Sequence, residues 1–286
     1  MLPDNPELLA LLFALAVFAG LIDTMAGGGG LLVVPGLMAA GLDPISAFAT
    51  NKLQAIFGTA SATVQFWRRG RVRLKDHLFP AGVAFLSAVC GAATLSYLEP
   101  RLLSAIVPFI LISVALLLLL KPNLGEIART ARMSRLAGAF TLIPLIGFYD
   151  GFFGPGTGTF LALGAVAVLG DRLEEATIHA KIYNFTSNLG GLLFFIGSGR
   201  PAWVYGAVMA AGTLIGGNLG ARLILKHGVG VIKPLIVAVS LALSTRLLWQ
   251  QGTIQDVSKA VVTRLQDAQP KREVADSKPR SNRYRR

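Results

Sequence analysis

The chain has 286 residues, of which 53% are hydrophobic and 15% charged, with a formal net charge of +12. A soluble domain carries about a quarter charged residues, so a soluble enzyme or binding module is a poor fit. The charge does not mark a nucleic-acid binder either: Lys and Arg fall in short loops beside apolar segments and in the tail after Gln250, not in a stripe on a soluble face.

In chain order, Met1–Glu7 holds Asp4 and Glu7 but no Lys or Arg, so it lacks the positive start of a cleavable signal. The apolar run 7–24 is therefore read as a retained first membrane helix. It passes through Gly20-Leu-Ile-Asp23 into Ala26-Gly-Gly-Gly-Gly30 and a short apolar segment, 30–41. Segment 46–66 follows, with Lys52 inside Ala49-Thr-Asn-Lys-Leu-Gln54. The loop Trp67–Lys75 carries five Arg or Lys, and segments 78–98 and 101–120 complete the run. Cys90 has no partner in the chain and reads as a small packing residue. Five further segments lie at 135–151, 158–170, 175–197, 202–221 and 230–250. The second and seventh are too short to span comfortably in an upright helix. The polar stretch after 250 has the composition of a disordered tail.

The two runs match each other. Gly20-Leu-Ile-Asp23 aligns with Gly147-Phe-Tyr-Asp150 at an offset of 127, and the glycine stretch 27–30 with Gly154-Pro-Gly-Thr157. After a two-residue insertion, Gly41 aligns with Gly170, Lys52 with Lys181, and Gly70-Arg71 with Gly199-Arg200, at an offset of 129. The expected fold is thus an all-α polytopic membrane protein of two repeated halves, 1–127 and 128–250, each with four to five transmembrane helices. A basic tail, 251–286, follows. Crossing short segments would invert the halves, and re-entrant ones would leave them parallel. The repeat partner of the basic loop 67–75 is Ser198–Pro201, which holds only Arg200, and that asymmetry favours inversion, although the basic tail pulls the other way.

Four successive glycines hold a regular helix poorly, at about 1 kcal/mol each relative to Ala. Unwound backbone at membrane depth is tolerated where protein or a water-filled cavity satisfies it. Gly28, Gly29, Gly30, Gly154, Gly156 and Thr157 are accordingly candidate substrate-binding residues at broken helices; close helix packing is the alternative. Neither stretch is a Walker loop, since no Gly-Lys-Ser/Thr follows. Lys52 and Lys181 are costly in apolar helices and are expected to turn inward for function, unless they snorkel to a helix end. Asn51 neighbours Lys52, while Asn184 and Asn188 share a helical face with Lys181, and Thr59 and Thr63 share one with Lys52. These groups suit an oxyanion, or else hydrogen bonds between helices. Asp23 and Asp150 would repel an anion if unpaired, so they are expected to be structural or to couple transport to an ion. His179 is the buried histidine candidate, Gly216-Gly-Asn-Leu-Gly220 reads as helix packing, and no metal-ligand or catalytic motif occurs.

Ala26-Gly-Gly-Gly-Gly-Leu-Leu-Val-Val-Pro35, Ala49-Thr-Asn-Lys-Leu-Gln54 and Arg68-Arg-Gly-Arg-Val72 resemble the TauE/SafE sulfite-exporter family of membrane permeases. So do Gly147-Phe-Tyr-Asp-Gly-Phe-Phe-Gly-Pro-Gly-Thr-Gly158, His179-Ala-Lys181 and Thr186-Ser-Asn-Leu-Gly-Gly191, and the likeness is greatest to the YfcA-like branch. It covers about residues 8–250. The resemblance implies a multi-pass transporter of the bacterial inner membrane, not an enzyme, in a family associated with sulfite, sulfonates and other small organic anions. The expected partners are a small anionic substrate and the lipid bilayer, with a homo-oligomer compatible and no cofactor or metal required. The competing reading is a membrane scaffold in which the same residues only pack.

Overall fold

The long helices begin and end where the local chemistry dictates. Asn5 accepts hydrogen bonds from Glu7 N at 3.0 Å and Leu8 N at 3.2 Å, with Pro6 at the first helical position, and α1 runs Pro6–Ala26. It stops at Gly27, whose φ of 76° is left-handed. After α2 (Gly30–Ala39), Asp43 caps α3 (Pro44–Arg68) through Ile45 N and Ser46 N, again with proline at the first position. A short 3₁₀ turn, Leu74–His77, leads into α4 (Leu78–Ser96).

The computed structural model describes residues 5–99 and 131–227, with scattered positions between 102 and 113. The expected segment 230–250, most of 101–120 and the tail 251–286 lie outside the described residues. The second run opens with α5 (Arg135–Phe140) and α6 (Leu142–Phe152). One helix is expected over 135–151, but the helix breaks at Thr141, where φ −122° and ψ −67° leave the helical region. Next comes α7 (Thr157–Gly164), continued by a π-helical turn, Ala165–Leu169. Then α8 (Leu173–Gly197) and α9 (Trp203–His227) complete the described chain. Every regular element among the described residues is helical.

α3 and α8 end in the same motif. Arg71 N bonds to Phe66 O at 2.9 Å around Gly70 (φ 69°), and Arg200 N to Phe195 O at 3.1 Å around Gly199 (φ 65°). Gly27 and Gly154, and Gly41 and Gly170, are further positive-φ glycines at the offsets of the sequence matches.

Three helical stretches among the described residues are long and apolar enough to cross a membrane: Pro6–Met25, Leu74–Ser96 and Trp203–Lys226. α3 and α8, 25 residues each, have the length but carry rows of buried polar residues. Those two pack on each other at the centre, and α1, α4, α6 and α9 surround them. Phe48 and Phe195 share one apolar cluster, and Ala62 and Phe66 share another with Ile178 and Ile182. The start of α3 therefore meets the end of α8, and the two helices run antiparallel. Large side chains such as Leu86, Leu145, Leu193 and Leu214 are exposed on the outer faces, where a bilayer supplies apolar solvent. Cys90 is exposed on α4, one turn beyond Leu86, rather than packed, because that face looks away from the core.

α1 lies against α9 through small residues. A Cβ on Gly212, Gly216 or Gly220 would fall 2.6, 1.9 or 2.7 Å from the carbonyl oxygen of Phe13, Val17 or Leu21. The seam between α4 and α6 is built alike: a Cβ on Gly151 would lie 1.9 Å from Ala88 O, and one on Gly91 2.1 Å from Phe148 O.

Candidate functional site

The two glycine stretches interrupt the apolar helices at one place in space. A Cβ on Gly27 would sit 2.2 Å from Thr159 N, and one on Gly158 2.7 Å from Gly27 Cα, so the two broken segments touch backbone to backbone. Gly30 approaches Pro155 in the same way, at 3.1 Å to its Cα. Gly156, with φ 86°, turns the chain into α7, and Gly28 O accepts Leu31 N at 3.0 Å as α2 begins. Two short helices thus start at this crossing with their N-terminal N–H groups beside it, where partial positive charge collects.

A carboxylate holds each start. Asp23 Oδ1 accepts the N–H of Gly29 at 3.3 Å, and Asp150 Oδ1 accepts the hydroxyl of Thr157 at 2.9 Å. Each carboxylate also receives a buried lysine from across the molecule. Lys52 Nζ on α3 lies 2.7 Å from Asp150 Oδ1 on α6. Lys181 Nζ on α8 lies 3.3 Å from Asp23 Oδ2 on α1 and also donates to the Asp23 backbone carbonyl. The lysine side chains are each 1% exposed, so neither reaches a helix end to snorkel. Ser187 on α8 completes the Asp150 shell, donating to Oδ2 at 2.6 Å.

Beside these pairs is a narrow cavity of about 20 Å³, enough for one water. Asp23, Asp150, Gly29, Gly30 and Gly154 border it, as do Asn51, Asn184 and Asn188. Lys52 and Lys181 do not; their charges are turned onto the carboxylates that do. Asn188 Nδ2 donates to Asn184 Oδ1 at 2.7 Å, and Gln54 Nε2 to Asn51 Oδ1 at 2.9 Å. These bonds orient the Asn51 and Asn184 amides and leave their own nitrogens without an acceptor among the described residues. Gln54 is in turn fixed by the Thr213 hydroxyl. Thr59 bonds back to Ala55 O at 2.8 Å and does not border the cavity, while the buried Thr63 hydroxyl has no partner among the described residues.

Sequence reasoning missed Ser187 and Thr213, since Ser and Thr in helices most often bond their own backbone, and Gln54, whose partner Thr213 lies on a distant helix. It also took His179 as the buried histidine, whereas His77, at the N-terminal edge of α4, is the more buried of the two and its Nδ1 lies 2.7 Å from Tyr183 Oη. Near it, Asp171 binds Arg135 at 2.7 Å. Burial pushes the Asp171 carboxyl up, but His179 and Arg135 together outweigh it and hold it below the usual carboxylate range.

The family model for the sulfite exporter TauE/SafE matches residues 12–247. The chain is 46% identical over 245 residues to the probable membrane transporter protein YfcA of Escherichia coli K12, spanning 86% of this chain and 91% of that protein. It is 45% identical over 242 residues to the probable membrane transporter protein ORF9 of a Sinorhizobium species, spanning 85% and 93%. A probable membrane transporter protein of Haemophilus influenzae is 39% identical over 246 residues, spanning 86% and 96%. No solved structure matches the chain.

Proposed function

The chain belongs to the TauE/SafE sulfite-exporter family of membrane transporters, and from that premise we propose that it is a secondary transporter of a small anion in the bacterial inner membrane. Sulfite and small sulfonates or carboxylates are the substrate class. The observation that carries this reading is the pair of buried Lys–Asp bridges at the glycine crossing. A lone lysine at bilayer depth costs at least about 2.5 kcal/mol, and packing alone has no need of two.

The four charges cancel formally, so excess lysine charge is not what would hold an anion. What the site offers instead is the partial positive charge at the starts of α2 and α7, together with the Asn51 and Asn184 amide nitrogens. The cavity has room for one water, which describes an occluded site that widens when the bundle opens. A bound anion would give this balanced site a net negative charge, and a proton taken up by Asp23 or Asp150 would keep it neutral. Proton coupling through Asp23 and Asp150 is therefore part of the proposal.

The architecture that serves this mechanism is two inverted halves. The paired positive-φ glycines, the matched ends of α3 and α8, and the antiparallel run of those helices support it. A two-fold axis along the membrane normal would leave equivalent helices parallel; an axis in the membrane plane reverses them. Each lysine bridge then ties one half's lysine helix to the other half's broken helix. Rocking of the halves would work directly on the site.

The decisive measurement is flux into proteoliposomes. Purified protein should move sulfite, or a small sulfonate, down its gradient, and an imposed pH gradient should change the rate. Folded protein that passes none of these anions with or without a pH gradient would leave the scaffold reading in its place.

A further inference from the structure

On the face of the arginine-rich loop, the helices part around a second cavity, of about 570 Å³. Small-molecule sites span roughly 300–1,000 Å³, and a bare sulfite would occupy a small part of this one. Arg71, Arg73 and Arg135 stand around it against one lining carboxylate, Asp76. Arg71 and Arg135 already hold Glu174 and Asp171. Arg73 has no ion pair among the described residues, so its charge is free for a ligand.

The deeper wall is polar and partly unsatisfied. The His77 and His179 rings lie with centroids 4.5 Å apart. His179 Nδ1 is buried, and its nearest carboxylate oxygen, on Asp171, is 3.9 Å away, beyond hydrogen-bond reach. Phe79, Leu136 and Ile143 contribute apolar surface to the lining. His179, Tyr183 and Ser187 follow at four-residue spacing on one face of α8, and Ser187 donates to the buried Asp150. One helical face thus leads from this vestibule to the Lys52–Asp150 bridge.

The matched positions at the other end of the bundle are closed. Thr50, Ala202 and Gly206 stand where His179, Arg73 and His77 would be, 129 positions away. There Ala202 N donates to Thr50 Oγ1 at 2.9 Å, and Leu53 fills the space over Gly206, 2.2 Å from where a Cβ would be. The vestibule is therefore a product of residues peculiar to one end, not of the repeated framework.

We propose that the vestibule is a docking site for an organic anion on the arginine-loop side of the membrane. Its sulfonate or carboxylate head sits at Arg73 and His179, and its apolar body lies against Phe79 and Ile143. The site deepens the transport reading and rests on it for its biological use, but the binding itself can be tested apart from flux.

The probe is benzenesulfonate, titrated calorimetrically against the full chain in nanodiscs with empty nanodiscs as the blank and benzyl alcohol as the neutral analogue. Benzenesulfonate should bind, benzyl alcohol should not saturate over the same range, and Arg73→Gln and His179→Leu should each weaken binding tenfold or more. Arg73→Lys, which keeps the charge, should retain most of the affinity, and thermal melts verify that each variant is folded. Dissociation constants of folded Arg73→Gln and His179→Leu within twofold of the native value would overturn the assignment. Equal binding of benzyl alcohol, or no benzenesulfonate binding at millimolar concentration, would do the same. Sulfite counterflow separates the two claims: flux without benzenesulfonate binding removes the docking site alone, whereas charge-dependent binding without flux keeps it and removes the transporter.

Discussion

Asp150 is buried and takes a lysine, a threonine hydroxyl and a serine hydroxyl. Removing one partner of a buried ion pair leaves the other charge uncompensated, at about 3–5 kcal/mol. Lys52→Gln should therefore lower the thermal midpoint of purified protein sharply, as should Asp150→Asn. The double variant Lys52→Gln with Asp150→Asn replaces two charges by two amides and should recover much of the loss. Strictly additive losses would mean that the bridge carries no coupling energy. Ser187→Ala removes one hydrogen bond to a charged acceptor, about 1.5–3 kcal/mol, and should weaken the protein less than either charge variant. His77 and Tyr183 form a part-buried contact at 2.7 Å, with neither group obliged to be charged.

At the level of elements, the glycines separate into conformational and contact roles. Gly41 has φ 98° and nothing within 4 Å of an added Cβ, so Gly41→Ala should cost only the left-handed strain of about 1–2 kcal/mol. Gly27→Ala carries the same kind of strain and drives a methyl to 2.2 Å from Thr159 N. It should separate the glycine crossing and abolish folded protein, read as loss of the monodisperse peak in size-exclusion chromatography. Gly216→Val tests the seam of α1 and α9, where even a Cβ would lie 1.9 Å from Val17 O. Its effect should exceed that of Gly82→Val, because Gly82 faces open space on α4.

For the whole molecule, inversion predicts which loops share a side. Arg71→Cys and Ser198→Cys, each in a Cys90→Ser background, should be labelled by an impermeant maleimide from opposite sides of the membrane. The exposed Cys90 makes that background necessary. With the halves inverted, the five positive charges of loop 67–75 predict that this loop is the one labelled from the cytoplasmic side. Labelling of both cysteines from one side would establish parallel halves. Trp67 at one end of α3 and Trp203 at the other end of the bundle are half-exposed, as residues at two lipid–water interfaces are.

Apolar run lengths, charge placement and the matched Asp, Gly and Lys positions were readable in the sequence, because membrane insertion and costly residues leave marks on composition and order. Asn5, Asp43, Gly70 and Gly199 likewise announce helix ends through local chemistry. The break at Thr141 has its mark three residues on: Pro144 has no N–H to give Phe140 O and its ring crowds that carbonyl, although the apolar run 135–151 continues across it. Which carboxylate meets which lysine was beyond the sequence. Lys52 and Asp150 lie in different halves, and only the crossing of α3 past α6 brings them to 2.7 Å. The same holds for the basic vestibule. Arg73 and His77 share one short segment, but Arg135 and His179 come from two other helices, and the convergence of the three is set by how the helices pack, a non-local property that no single segment encodes.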